Sequence, residues 1–183
     1  LYIDEDTGVN EFLLDPRNPD IILASTYQRR RHVWTLINGG PGSGLHRSED
    51  GGTSWHEVSS GLPANDMGRI GLAAAPSDPD IVYAIIEADA TEQGVYRSAD
   101  FGQHWTKQSD RITTSPQYYN ELVVDPENPA RLYSLDTLTQ VSEDGGKTWT
   151  ALSFENRHVD DHALRIDPAN TDHLFIGGDG GVF

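Results

Sequence analysis

Ser142-Glu143-Asp144-Gly145-Gly146-Lys147-Thr148-Trp149 is one of three copies of an eight-residue frame. Ser48-Glu49-Asp50-Gly51-Gly52-Thr53-Ser54-Trp55 repeats it closely, and Ser98-Ala99-Asp100-Phe101-Gly102-Gln103-His104-Trp105 repeats it loosely, so that all three read S-x-D-x-G-x-x-W. Short Asp and Ser side chains accept nearby backbone N–H groups, Gly supplies positive φ, and Trp leaves the turn into packed surface. The frame is therefore expected to be a hairpin turn whose polar groups bond its own backbone. That reading assigns Ser48, Asp50, Gly52, Trp55, then Ser98, Asp100, Gly102, Trp105, then Ser142, Asp144, Gly146 and Trp149 to scaffold, not catalysis.

A second repeat runs in phase with the first. Leu14-Asp15-Pro16 is matched by Ala74-Ala75-Pro76, Val124-Asp125-Pro126 and Ile166-Asp167-Pro168, each between apolar runs. Proline fixes φ and donates no ladder bond, so each marks a turn joining two strands. From Pro16 to Pro76, Pro126 and Pro168 the intervals are 60, 50 and 42 residues, close to the repeat of four-stranded propeller blades. The sequence thus predicts an all-β chain: blades over residues 9–58, 69–109 and 121–152, the start of another over 163–183, and the end of a preceding one at 1–4. A propeller ring takes about four to eight blades. Three full blades and parts of two give an incomplete ring, so residues 1–183 are expected to be a fragment of one β-propeller domain, partnered by the remainder of its own propeller.

Composition narrows the partners. Asp and Glu total 29 against 13 Lys and Arg, for a net charge of −16. Nucleic-acid binding is disfavoured, because it normally needs a basic face. The chain has no cysteine, which removes disulfides and thiolate metal sites. No apolar run is long enough to span a membrane as a helix.

Parity sorts the loops. In an up-and-down blade the first and third turns share one face, while the second connection and the link to the next blade share the other. The Asp-Pro turns and the S-x-D-x-G-x-x-W turns therefore lie together. The opposite face collects the longer and less repetitive loops, 27–43, 59–68, 88–93, 110–120, 154–162 and 177–180, where a scaffold usually carries function. Residues 27–43 read as a flexible crossing between strands. The expected ligand-binding set on this face is Arg29, Arg30, Arg31, Trp34, Arg69, Tyr118, Tyr119, His158 and His162: guanidinium groups for anions and aromatic rings for stacking. His158-x-Asp160-Asp161-His162 is the densest polar cluster. Hydrogen bonding at the propeller mouth is preferred for it over metal ligation, and no metal or cofactor is expected.

Beyond the boxes, Asp6-Thr7-Gly8-Val9-Asn10, Gln28-Arg29-Arg30-Arg31, Gly68-Arg69-Ile70-Gly71-Leu72 and His158-Val159-Asp160-Asp161-His162 add further motifs. With the S-x-D-x-G-x-x-W frames, they make the chain resemble Asp-box (BNR) repeat β-propellers, in particular bacterial sortilin/VPS10-like and glycosyl hydrolase-like proteins. The resemblance implies a secreted, periplasmic or cell-surface protein that is either a binding module or a glycoside hydrolase of sialidase or xyloglucanase type. The sialidase pattern departs at Arg69-Ile70, which is followed by Gly71 where those enzymes carry proline. A xyloglucanase-like inverting mechanism needs two carboxylates about 6.5–9.5 Å apart. Asp66, Asp160 and Asp161 are the catalytic candidates, with Asp89 and Asp179 on the same face. Each also reads as a loop carboxylate capping backbone amides. With no acid pair marked by the sequence, the favoured expectation is a binding or scaffold module for peptide or polysaccharide.

Overall fold

The computed structural model describes residues 1–183 as sixteen β-strands with no helix. The first sheet holds β1 (Thr7–Asp15), β2 (Asn18–Arg31), β3 (Leu36–Asn38), β4 (Gly44–Ser48) and β5 (His56–Val58). Two four-stranded sheets follow in simple chain order. One contains β6 (Ile70–Ala75), β7 (Asp78–Ile86), β8 (Gly94–Ser98) and β9 (Thr106–Ser109); the other contains β10 (Glu121–Val124), β11 (Leu132–Leu135), β12 (Gln140–Ser142) and β13 (Thr150–Ala151). The last is three-stranded, with β14 (Asp161–Asp167), β15 (Asn170–Gly178) and β16 (Gly181–Val182). All neighbouring strands pair antiparallel. The four sheets stack as successive blades of an unclosed ring. Residues 1–4, expected as an outer strand, form none, because they have no ladder partner.

Residues 27–43 differ from the flexible crossing expected. Arg29, Arg30 and Arg31 pair with Asn38, Ile37 and Leu36 in a hairpin that prolongs β2 beyond the blade. The apolar residues Val33, Trp34, Leu36 and Ile37 give this stretch strand propensity, and the His32 amide closes its end on the Thr35 carbonyl at 2.8 Å.

Each Asp-box bonds itself as its residue types require. The Asp50 carboxylate accepts Ser48 Oγ at 2.8 Å, the Ser54 amide at 2.8 Å and Ser54 Oγ at 2.6 Å. Asp144 repeats this with Ser142, Thr148 and Lys147, and in the second box the His104 ring stands where the hydroxyl would be, 2.6 Å from Asp100. Each indole Nε1 donates to the carbonyl of the last glycine, at 2.9 to 3.0 Å. The box also clips onto the Asp-Pro turn of its own blade: Gly51, Phe101 and Gly145 donate their amides to Asp20, Asp80 and Ala130 at 2.9 to 3.0 Å. The two turn classes therefore share one face.

These local bonds hold the Asp50 and Asp144 carboxyls down at about 2, chiefly through Ser54 for the first and Thr148 for the second. A depressed carboxyl favours the fold above its unfolded value and ceases to do so as pH falls through the folded one. Stability in acid is thus expected to drop between about pH 4 and pH 2, and Asp144→Ala should flatten that part of the melting-temperature profile; an unaltered profile would contradict the assignment.

Packing follows the strand period of two. On β7, Val82, Ala84 and Ile86 face the first blade, in a core with Leu23, Leu45, Ile70, Phe101 and Trp105. Ile81, Tyr83 and Ile85 face the third, with Val95, Leu122 and Leu132. Tyr133, Leu135, Leu164 and Ile176 join the third blade to the fourth. The inner strands β1, β6, β10 and β14 contact one another in succession. Gly71 shows how closely they approach, since a Cβ there would lie 1.8 Å from the Asn120 carbonyl oxygen. The end blades leave Val9, Phe12 and Leu14 exposed on one side, and Phe175 and Val182 on the other.

Candidate functional site at the loop face

The face opposite the boxes is assembled from loops of different blades. Because side chains alternate along a strand, the three successive arginines of β2 separate. Arg30 turns to an ion pair with Asp6 and donates to the Glu5 carbonyl. Arg31 reaches across to the loop before the third blade, where its Nη1 lies 3.4 Å from the Tyr118 hydroxyl. The Arg29 side chain is exposed. Trp34, 82% exposed, stacks on His32 with ring centroids 5.4 Å apart at the hairpin tip.

Tyr118 is half exposed, whereas its neighbour Tyr119 is buried. The Tyr119 hydroxyl donates to Asp160, Thr137 Oγ1 lies 3.4 Å from that hydroxyl, and the ring stacks on His162 at 5.2 Å and 10°. His162 Nε2 lies 3.4 Å from Asp179. Tyr119, Asp160, His162 and Asp179 thus form one continuous polar wall joining the third and fourth blades. Asp160 adopts φ of 80° there. His158 lies outside this wall, exposed beside Gly180.

The other two candidate carboxylates stand elsewhere. Asp161 is buried, accepting Arg157 Nη1 and Thr139 Oγ1 at 2.6 Å each. With both oxygens held by a guanidinium and a hydroxyl, its geometry is that of a structural ion pair. Asp66 is exposed in a separate polar cavity of about 320 Å³ between loops of the first two blades, lined by Asn38, Gly40, Met67, Glu87 and Asp89. Asp66, Asp160 and Asp161 therefore do not converge on one point. No group of three or more His, Cys, Asp or Glu side chains is arranged to hold a metal ion.

Arg69 leads to residues the sequence reading passed over. Its Nη1 donates to the Gln117 carbonyl at 3.2 Å, and its Nη2 lies 3.7 Å from Glu121. Glu11, on β1, accepts the Leu72 amide at 2.6 Å. Burial pushes the Glu11 carboxyl up to about 7, against the opposing pull of the Leu72 amide and Arg69. Burial also raises Glu121, opposed by Arg69, His162 and Arg165. Two carboxyls whose ionisation burial disfavours thus sit along the inner strands, with the Arg69 guanidinium near both. The signal that could have found Glu11 is a charged residue inside the apolar run Val9 to Leu14.

Residues 140–151, which contain the whole of the third box, match the BNR/Asp-box repeat family model. Solved structures extend the likeness over the rest. A GH74 enzyme from Niastella koreensis superposes with a TM-score of 0.65 at 21% identity, over 95% of this chain and 26% of that one. The fold is a BNR-repeat β-propeller. YCF48 bound to D1 peptide is also similar, with a TM-score of 0.57 at 14% identity, over 95% of this chain and 49% of that one. So is a gluconolactonase from Xanthomonas campestris, with a TM-score of 0.55 at 16% identity, over 95% and 55% of the two chains. The BNR propeller chain spans about a quarter of the length of the GH74 enzymes it matches. No curated protein matches it in sequence.

Proposed function

We propose that this chain is the binding and scaffold part of an extracytoplasmic BNR propeller, of sortilin/VPS10-like type, which holds a peptide or polysaccharide on the loop face. The observation that carries the reading is the reach of Arg31 to Tyr118, 87 residues away. It sets an accessible guanidinium and an exposed phenol side by side over the inner strands, with Arg29 and Trp34 on the same hairpin. Aromatic and arginine side chains are the groups that most often anchor ligands. The candidate carboxylates support the same choice, since Asp161 is occupied by Arg157 and Asp160 lies under Tyr119. The exposed apolar residues of the end blades are covered, in this reading, by further blades of the same propeller. Residence in the secretory path, periplasm or cell surface follows from the sortilin-like resemblance.

Trp34→Ala or Tyr118→Ala should weaken the ligand found in a panel of peptides and glycans by at least about 1 kcal/mol without lowering the melting temperature. Unchanged affinity in both variants would sink the reading. Glu11 favours a second reading as a glycoside hydrolase, because a carboxylic acid that keeps its proton near neutral pH is what protonation of a leaving oxygen requires. In that case Glu11→Gln abolishes release of reducing sugar from a polysaccharide panel; a variant with undiminished turnover would eliminate Glu11 as the acid.

A further inference from the structure

The three boxes differ at their fourth position, which is Gly51, Phe101 and Gly145. Phe101, at φ of 50°, is buried and fills the space between the first and second blades, in the core with Leu23 and Leu45. Gly145 occupies the equivalent place between the second and third blades at φ of 75°. Tyr83 stands there in the register position of Leu23, as the partner of Arg97 where Leu23 partners Arg47. Its hydroxyl lies 3.3 Å from where a Cβ on Gly145 would stand. An open pocket of about 270 Å³ remains, with Ile81, Tyr83, Pro129 and Ala130 as walls. The Tyr83 hydroxyl is occupied, donating to the Pro129 carbonyl at 2.8 Å.

A second departure coincides with the first. In the first box Arg47 is ion-paired with Glu49, two residues on. The second box has Ala99 at that position, so Arg97 has no such carboxylate and lines the pocket instead. It lies beside Tyr83. Lys147, one of only two lysines in the chain, lines the same pocket. Asp144, the acidic group in the lining, is bound by Ser142, Lys147 and Thr148 through their backbone or hydroxyl donors. Its oxygens are therefore turned to the box, and neither Arg97 nor Lys147 is paired with a carboxylate.

We propose that this cleft on the box face, distinct from the loop face, binds a small organic carboxylate: the acid group pairs with Arg97 and Lys147, and its apolar body rests on Ile81, Pro129 and Ala130. Arginine recognises carboxylates through parallel N–H bonds of matched geometry, and the apolar wall gives an organic acid an advantage over an inorganic anion. The chain's net charge of −16 opposes anions at long range, so the paired cations act locally.

Titration of the full chain with benzoate, benzamide and inorganic phosphate, followed by the Gly145 amide resonance, tests this. Benzoate should bind saturably and shift that resonance, and the neutral isostere benzamide and phosphate should each bind at least about tenfold more weakly. Arg97→Gln should weaken benzoate by about tenfold or more, and Gly145→Phe, which copies the second box, should abolish binding with the β circular-dichroism spectrum retained. Arg97→Gln needs no space in the core, so it keeps the test open if Gly145→Phe does not fold. Equal binding of benzoate and benzamide, benzoate affinity unchanged by Arg97→Gln, or phosphate bound more tightly than benzoate would each overturn the assignment.

Discussion

Replacing Trp105 by alanine should destabilise the protein by about 3–5 kcal/mol, the range for a large aromatic removed from a packed core. Three features place it there. Its ring is buried among Leu23, Leu45, Val58 and Tyr96, its indole N–H is bonded to Gly102, and its backbone amide donates to the Ser60 carbonyl at 3.0 Å. The substitution empties the seam between the first two blades and leaves the Gly102 carbonyl without its donor. Trp149 is only partly buried against the second core, so Trp149→Ala should cost less. Denaturant unfolding of both variants checks the order. Equal losses would mean that the seam does not carry the difference.

The next largest effect is expected from Glu11. A carboxyl raised from the ordinary 4.5 to about 7 means that the folded chain binds a proton the unfolded chain has released. The sign follows from linkage: stability is fully present below about pH 4.5 and declines as pH rises through about 7, because ionising the partly buried group must then be tolerated. At 1.36 kcal/mol per pH unit the loss is on the order of 3 kcal/mol. Glu11→Gln removes the titrating group while its amide oxygen can still accept the Leu72 N–H. The variant should therefore match the wild type near pH 5 and exceed it at pH 8. Parallel pH profiles for the two proteins would refute the role of Glu11.

The boxes were legible because their chemistry is local. Asp144 accepts from residues within four positions of it, so S-x-D-x-G-x-x-W carries its own geometry. Arg30 and Arg31 were legible only as residue types. The sequence placed them on one loop, yet the hairpin sends Arg30 to Asp6 and Arg31 to Tyr118. Tyr119 reads in the sequence as a ligand contact, and the fold gives it a hydroxyl bond to Asp160 and a stack on His162 that make it part of the wall. Adjacent Asp160 and Asp161 look interchangeable in the sequence, but Asp161 lies at the buried start of β14 against Arg157, while Asp160 remains at the mouth.

By itself the sequence determined the turns, the strand period and the succession of blades, since each depends on residues a few positions apart. Only the tertiary structure decided which groups meet between blades: Arg31 with Tyr118, Tyr119 with Asp160, Glu11 with the Leu72 amide, and Arg97 with Lys147 in the cleft that Gly145 leaves open. Those meetings depend on how far each sheet is rotated and set back from the one before it. That offset is fixed by the bulk packed in each seam, Phe101 with Leu23 in one and Gly145 with Tyr83 in the next, a sum over distant residues that no single motif encodes.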